Sequence, residues 1–580
     1  MHEKKTYELV RLMGGGGLSV EINSNGSIRR MDCGDTAVNL FLGNEIEGGP
    51  ANLYLRRRAL SRTVVEFTPL LGPRSPTRSR LHGADNRWVG SGTWRGIGYT
   101  VTLVLSQTAP AWFWHVTLEN IGEAPRNVDL VYAQDMALAP YGTVRLNEYY
   151  VSQYVDHTPL THAARGWVVA SRQNLAANGR NPWCVIGSLR RGKTFATDAL
   201  QVHGLASRVG ANPEGLADDL PTRRLQHEHS MVAIRDESLR LEPDSRATLG
   251  FFGSLIADHP EATSEGDLAY VDQALALPEA SPTPVEIRVH PGQNESIAAG
   301  TLFSTAPLVA ALDLTPAEAH AMFAGEWRHQ ELDGQGKLLS FFYDAERHVV
   351  LREKELHTRR PHGHLLRTGR HATADETALT STAWMAGVFH SMLTQGHVSF
   401  NRFLSTVHSY IGLFRSHGQR VFVEFAGGWQ LLDVPSAFEV SPDCCRWIYR
   451  HAHTLIEVRS EAQSDPHEVL LTIQVHSGGP RRCLVSHHVA LGGDDGSAAG
   501  PVNWTRDEES ITVRPTAGSD LAARFPEGSF QIVATQGTTF DKVGGDELLF
   551  LDGQSRQQPY VCVVIAPGSS IGLRLRGHLV

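Results

Sequence analysis

Hydrophobic and polar residues alternate along much of this chain with a period of two, the spacing of a half-buried β-strand. Tyr99, Val101, Leu103 and Leu105 share one face, with Thr100, Thr102 and Ser106 on the other. Trp112, Trp114, Val116 and Leu118 repeat the pattern with aromatic bulk. Earlier, Leu18, Val20 and Ile22 alternate with Ser19 and Glu21; Asn25-Gly26 supplies a tight turn, and the pattern resumes at Ile28. Such runs, divided by Gly, Asn and Pro turns, predict an antiparallel β-sandwich from Leu18 to about Leu255.

Helical signals follow. Residues 264–276 suit a helix that stops before Pro278, and Thr315-Pro316-Ala317-Glu318 reads as a capping box with proline at the first helical position. Behind it Met322, Phe323 and Trp327 form an apolar stripe for docking on a sheet. The Pro-rich stretch 279–300 has room for a strand or two. From about Lys337 the β pattern returns at 338–343, 348–355, 421–425, 469–475, 511–513, 530–533 and 560–565, while residues 384–406 fit neither period. The expected organisation is a β-supersandwich at 1–258, a helical, Pro-rich connector at 259–335, and a second β-sandwich at 336–580. Large sandwiches of about 200–250 residues make two a better count than four small domains.

One pattern occurs twice. Trp112-Phe113-Trp114-His115-Val116-Thr117-Leu118, a polar turn, Pro125-Arg126 and a run ending Ala137-Leu138 is matched by Val469-Leu470-Leu471-Thr472-Ile473-Gln474-Val475, a Gly-rich turn, Pro480-Arg481 and a run ending Ala490-Leu491. The step from Val116 to Leu471 (471 − 116 = 355) equals that from Pro125 to Pro480. Two modules of related build, each carrying this strand pair, account for it.

Composition narrows the function classes. A hydrophobic fraction of 41% and a charged fraction of 20% are ordinary for a globular protein. A net charge of −9, with no dense Lys/Arg cluster, argues against nucleic acid or an anionic membrane as partner. No run reaches the roughly 20 apolar residues that span a bilayer, and the charged start Met1-His2-Glu3-Lys4-Lys5 has no signal-peptide core after it. Cys33, Cys184, Cys444, Cys445, Cys483 and Cys562 include no C-x-x-C pair and read as reduced thiols of a cytoplasmic protein.

Most motifs have a structural explanation. His357, His362, His364 and His371, and the pair His451 and His453, suggest zinc, but 28 histidines in the chain make chance clustering the better reading. Gly493-Asp494-Asp495-Gly496 and Gly545-Asp546-Glu547 lack the ligand series of a calcium loop and read as acidic turns. No metal or other cofactor is expected. Gly14-Gly15-Gly16-Gly17 precedes a strand and not a helix, so it reads as a close backbone approach and not as a phosphate loop. No Gly-x-Ser-x-Gly elbow or activated cysteine is found.

Sugar recognition is the stronger theme. Pyranoses offer an apolar C–H face to aromatic rings and a rim of hydroxyls to planar polar side chains. Arg145, Asn147, Glu148, Tyr149, Tyr150, Gln153, Tyr154, Asp156 and His157 form a dense block of those types. Arg145, Asn147, Tyr149, Tyr150, Gln153 and Tyr154 are the candidate substrate-binding residues. The competing reading is an aromatic strand packed at a domain or subunit interface. Asp85-Asn86-Arg87-Trp88 with Trp94-Arg95 is a second candidate.

Met13-Gly14-Gly15-Gly16-Gly17-Leu18-Ser19-Val20-Glu21-Ile22, Asn39-Leu40-Phe41-Leu42-Gly43-Asn44, and Arg95-Gly96-Ile97-Gly98-Tyr99 followed by Val116-Thr117-Leu118-Glu119-Asn120 resemble the N-terminal region of the inverting phosphorylases of glycoside hydrolase family 94. Trp384-Met385-Ala386-Gly387-Val388-Phe389-His390-Ser391 and Ser409-Tyr410-Ile411-Gly412-Leu413-Phe414-Arg415 are most similar to the 1,2-β-oligoglucan phosphorylase subgroup. The resemblance implies a mutarotase-like β-sandwich, a second β region, helical linkers and a catalytic α/α barrel. In that family inorganic phosphate, the co-substrate, attacks the anomeric carbon with inversion while one barrel aspartic acid protonates the leaving oxygen. No barrel-like helical repeat or matching acid motif is read before Val580, so no catalytic residue is carried over. The family's sandwich helps close the active site of a partner subunit, and 145–157 lies in a matching place.

The expectation is therefore the carbohydrate-binding half of an oligoglucan phosphorylase, with a β-glucan oligosaccharide, the missing barrel and a second copy as partners. The alternatives are a free-standing binding or scaffold module, and an aldose-epimerase-like enzyme using His115, His487 or His488 with an unidentified carboxylate.

Overall fold

The computed structural model describes residues 9–58, 65–82, 86–210, 212–226, 229–282, 296–297, 300–344, 346–369, 375–396, 401–408, 411–492 and 502–579. The chain forms two compact units, one of residues 1–204 and 212–300, the other of 205–211 and 301–580. Within the expected connector, then, the chain passes from one unit to the other at Gly300. The short segment 205–211 is drawn out of the first half to pack with the second.

Among the described residues the first unit holds a five-stranded and a fifteen-stranded sheet, and the second an eleven-stranded and an eight-stranded sheet, almost entirely antiparallel. The mainly β fold with two large sandwich units stands as the sequence pattern predicts. Tyr99, Val101, Leu103 and Leu105 of strand Ile97–Leu105 point into one core with Trp112, Trp114, Val116 and Leu118 of Ala111–Asn120. The second core gathers Val421, Val423, Val469, Leu471, Ile473, Phe530, Ile532, Val561 and Val563. Period-two alternation becomes a buried face because successive side chains of a strand point oppositely.

The repeated pattern is a repeat of topology. Strand Ala111–Asn120 lies between the strand before it, Ile97–Leu105, and the first unit's last long strand, Arg246–Ile256. Strand His467–Ser477 likewise lies between its predecessor, Thr454–Ser464, and the last strand of the second unit, Ser570–His578. The partner strands agree as well: Arg126–Asp135 pairs with Asn52–Arg58 and Ser230–Asp236, and Arg481–His488 with Gln419–Phe425 and Tyr560–Gly568. The consecutive strands expected as pairs do not bond to each other in either unit. In the second they lie in different sheets.

The helical signals are realised. Leu268–Leu275 is a helix entered through a Ser264 capping box, and Pro316–Met322 is capped by Thr315 and Glu318. Phe323 is buried, and Trp327 stacks on Phe341 at 4.1 Å, docking the helix on the sheet. The strand expected over 348–355 stops earlier: Arg347–Leu351 is extended and Arg352–His357 is helical. There Glu355 turns inward and accepts from the His362 ring at 2.7 Å, a contact a continuing strand does not make. The ambiguous 384–406 includes the hairpin strand Val388–Gln395. In the Pro-rich stretch the described strand is Ser296–Ile297.

Two buried ion pairs mark the units. In the first, Arg56 meets Asp129 at 2.6 Å with both side chains essentially inaccessible. In the second, Arg415 meets Asp433 at 2.7 Å. The Gly14–Gly17 segment is a tight turn, with Gly16 and Gly17 at φ 63° and 80°. A Cβ on Gly15 would lie 2.5 Å from the Ala109 nitrogen. Glycine is required there for a backbone approach.

Candidate functional site

The aromatic block is not a strand. Residues Tyr141–Leu146 and Glu148–Gln153 are two short helices broken at Asn147, whose backbone is extended (φ −164°) and whose side chain accepts from the Tyr150 amide at 3.0 Å. An asparagine N-cap explains the break. The β preference of the tyrosines suggested extended chain, but the cap and the buried Val144, Val151 and Ser152 fix helical turns.

The helices sort the candidates onto two sides. Arg145, Asn147, Tyr150, Gln153 and Tyr154 are exposed, together with Leu146 at 86%. Tyr150 and Tyr154 meet edge to face at 4.9 Å. Tyr149 is half-buried and stacks on His229 at 5.2 Å, and Phe41 approaches the same imidazole at 5.4 Å. Gln226 donates its side-chain amide to the carbonyls of Gln153 and Val155, and Arg224 pairs with Asp156. Below, the buried His157 lies between Ser171 and Ser230 hydroxyls at 2.8 and 2.9 Å. Burial, seconded by Arg224, pulls its pKa down to about 3. Ser230 in turn donates its amide to the Ser152 hydroxyl at 2.7 Å.

This arrangement leaves several of the candidate side chains at the surface. It presents phenol rings, an amide and a guanidinium on a rigid base, while Asp156 is engaged by Arg224 and His157 is held neutral and inaccessible. The partners Phe41, Arg224 and His229, and the exposed Leu146, were not singled out from sequence. Only Leu146, an apolar residue in a polar run, offered a signal.

The other sequence candidates have ordinary settings. Asn86 bonds the main chain of Met13, Trp88 is fully buried against Trp114, and Asp85 lies outside the described residues. His357 pairs with Glu353, His451 faces the Ala310 carbonyl, and His371 lies outside the described residues. Among the described residues no three His, Cys, Asp or Glu side chains converge as a metal site. Asp546 accepts from Ser555, Arg556 and Gln558 as a loop anchor, and 493–496 lie outside the described residues. His115 faces the Glu279 carbonyl, His487 lies between Gln419 and the Val561 carbonyl, and His488 bonds Ser405 and stacks on Tyr560. All six cysteines are free thiols, five of them buried. No helix of the described residues is long and apolar enough to cross a membrane.

Residues 21–253 match the SOGP N-terminal domain family, and residues 326–577 match the glycoside phosphorylase supersandwich domain family. The chain thus carries the paired β domains of that class of protein, as the resemblance implied. It is 27% identical over 532 residues to a 1,2-β-oligoglucan phosphorylase of Listeria innocua serovar 6a, a similarity spanning 90% of this chain and 46% of that protein. The chain therefore spans about half the length of that relative. Among solved structures, a putative kojibiose phosphorylase from human microbiome covers 46% of this chain and 36% of its own, at 10% identity and TM-score 0.22. A putative aldose 1-epimerase from Escherichia coli K12 covers 43% of this chain and 99% of its own, at 8% identity and TM-score 0.26. Scores this low leave the assignment to the domain matches and the sheets themselves.

Proposed function

We propose that this chain is the non-catalytic, sugar-positioning half of a cytoplasmic inverting phosphorylase of glycoside hydrolase family 94 that acts on β-1,2-glucans. The reaction is reversible phosphorolysis: inorganic phosphate displaces the glycosidic oxygen with inversion, giving α-glucose 1-phosphate and a shortened oligosaccharide. In this reading the carboxylic acid that protonates the leaving oxygen belongs to a catalytic barrel, a segment other than these β units. The observation that supports it most is the succession of the two domain families along one chain, with identity to an oligoglucan phosphorylase running through both. The exposed Arg145, Asn147, Tyr150, Gln153 and Tyr154, with Tyr149 behind them, are the proposed sugar-contacting face, turned toward the active site of a second copy in a homodimer.

The test is complementation. The chain joined to, or mixed with, the catalytic barrel of an oligoglucan phosphorylase is expected to release glucose 1-phosphate from β-1,2-oligoglucans in a phosphate-dependent manner, and the chain alone to release none. Turnover by the chain alone, or inactivity of every combination on β-1,2- and β-1,4-glucans, would overturn the proposal.

A further inference from the structure

The second unit opens along one edge into a cleft of about 680 Å³. One wall is strand Gly363–Arg367, the terminal strand of the eight-stranded sheet among the described residues. The other wall belongs to the eleven-stranded sheet. It is formed by the turn joining Leu338–Tyr343 to Arg347–Leu351, the turn joining Ala437–Ser441 to Cys444–His451, and the end of Thr454–Ser464. Small-molecule sites measure about 300–1000 Å³, and this one has room for about two or three pyranose rings. None of the candidate residues read from the sequence lies in it.

The lining mixes charge of both signs with some apolar surface. Asp344, Glu346 and Asp443 are exposed carboxylates, and Arg347 and Arg367 are half-buried guanidiniums. Leu365, 55% exposed, and Pro442 supply the apolar surface.

These walls are held in place. Arg347 donates from Nη1 to Glu439 Oε1 at 2.8 Å, and its Nε stands 3.8 Å from Asp344. Glu439, 1% exposed, also accepts from the Tyr343 hydroxyl and from Arg446. Ser464 Oγ accepts from the Gly369 amide at 2.9 Å, which ties the end of one wall to the end of the other. The Ala462 amide donates to the Asp443 carbonyl at 2.9 Å and fixes that turn against the neighbouring strand. A site built before its ligand arrives loses less entropy on binding.

The lining chemistry narrows the ligand class. Carboxylates oppose an inorganic anion or a phosphate ester, and guanidiniums oppose a metal cation. Among the described residues no three His, Cys, Asp or Glu side chains converge as a metal site. An apolar ligand would take water from both sets of charges without replacing its hydrogen bonds. A neutral ligand dense in hydroxyls suits every part. Each hydroxyl donates to a carboxylate or accepts from a guanidinium, and C–H faces rest on Leu365 and Pro442.

We infer that this cleft is a second carbohydrate-binding site, taking a neutral oligosaccharide of about two or three sugar units. It is distinct from the tyrosine-bearing face of the first unit. The site itself does not depend on the phosphorylase reading; only the choice of a β-1,2-linked probe rests on it.

The experiment soaks crystals of the intact chain in sophorotriose, cellotriose and maltotriose, and titrates the same sugars by calorimetry at low and high salt. Sugar density in the cleft is expected with at least one of them, and an affinity that changes less than about twofold with salt, because the ligand carries no charge. Leu365→Asp and Asp443→Ala change exposed side chains, and unfolding temperatures equal to the parent's check that both fold. Each is expected to weaken binding about fivefold in a Tyr150→Ala, Tyr154→Ala background, where the other proposed face is disabled. Cleft binding of cellotriose or maltotriose without sophorotriose would support this site and count against the β-1,2 reading. A cleft that stays empty with all three sugars, or background binding that both cleft variants leave unchanged, overturns the inference.

Discussion

The Tyr149 ring lies on the His229 imidazole with 5.2 Å between centroids and 23° between planes. The stack ties the helix Glu148–Gln153, which carries the exposed tyrosines, to the segment that leads into strand Ser230–Asp236. Support and contact are thereby divided between neighbours: Tyr149 holds, while Tyr150 and Tyr154 face outward. Isothermal titration with sophorose-type oligosaccharides is expected to show about fivefold weaker binding for Tyr150→Ala and for Tyr154→Ala, the loss of one aromatic platform. Tyr149→Ala is expected to lose both affinity and stability, whereas Tyr149→Phe retains the stack and its stability. Equal heats from all variants and the parent would remove this face from the sugar site.

The Arg56–Asp129 pair supports a second prediction. Asp129 receives Arg56 Nε at 2.6 Å and Nη2 at 3.2 Å, and Arg235 Nη1 stands 3.5 Å away. Asp129→Ala leaves these guanidiniums buried without their counter-charge, at a cost of about 3–5 kcal/mol. The double variant Arg56→Met, Asp129→Leu removes both charges and is expected to be less destabilised than Asp129→Ala. Urea unfolding followed by tryptophan fluorescence compares them. A double variant weaker than the single would show that the pair contributes by its attraction and not by mutual neutralisation.

Strand periodicity was legible because half-buried strands write their burial directly into alternate residues, as Tyr99 to Leu105 do. The duplication was legible for the same reason: Val116 and Leu471 sit on strands flanked by equivalent neighbours, so similar burial selected similar residues. Local caps such as Thr315 with Glu318 were also readable. The helical break at Asn147 was not, since tyrosines favour strands and one N-cap is a weak signal against them. Long-range partnerships were invisible. Arg56 and Asp129 are 73 positions apart, and Arg208 reaches into a unit built from the other half of the chain. Burial of such charges depends on topology, which alternation does not encode.

Stability of the first unit is expected to depend on pH through two buried groups with opposite signs. Burial raises the Asp135 carboxyl from 3.8 to about 7, against the amides of Phe41 and Leu40 that favour its charged form. The native state keeps a proton that the unfolded chain releases above 3.8, so stability falls as pH rises through that window to 7. Burial lowers His157 from 6.5 to about 3, with Arg224 adding to it. There the unfolded chain takes up a proton that the native state refuses, so stability is full above 6.5 and is lost toward 3. Each effect is limited to one proton, about 1.4 kcal/mol per pH unit. Urea midpoints measured from pH 4 to 8 are expected to show Asp135→Asn gaining on the parent as pH rises from 4 to 7, and His157→Gln gaining on the parent as pH falls from 6.5 to 4. Parallel profiles for both variants and the parent would contradict this assignment.

Gly387 lies in the hairpin before strand Val388–Gln395, at φ 66°. A Cβ there would stand 2.3 Å from the Leu432 carbonyl oxygen and 2.9 Å from the Asp433 Cα. Main chain, and not a flexible side-chain end, blocks the space, so the clash cannot be relieved by a rotamer change. Left-handed backbone on an L-residue adds strain of about 1–3 kcal/mol. Gly387→Ala is therefore expected to be destabilised by at least that amount, and to disturb Asp433, the partner of Arg415. Gly427 is the control: a Cβ there meets nothing within 4 Å, and Gly427→Ala should stay within about 0.5 kcal/mol of the parent. Guanidinium unfolding of the two variants checks the pair, and equal stabilities would mean that the hairpin relaxes around the added methyl group.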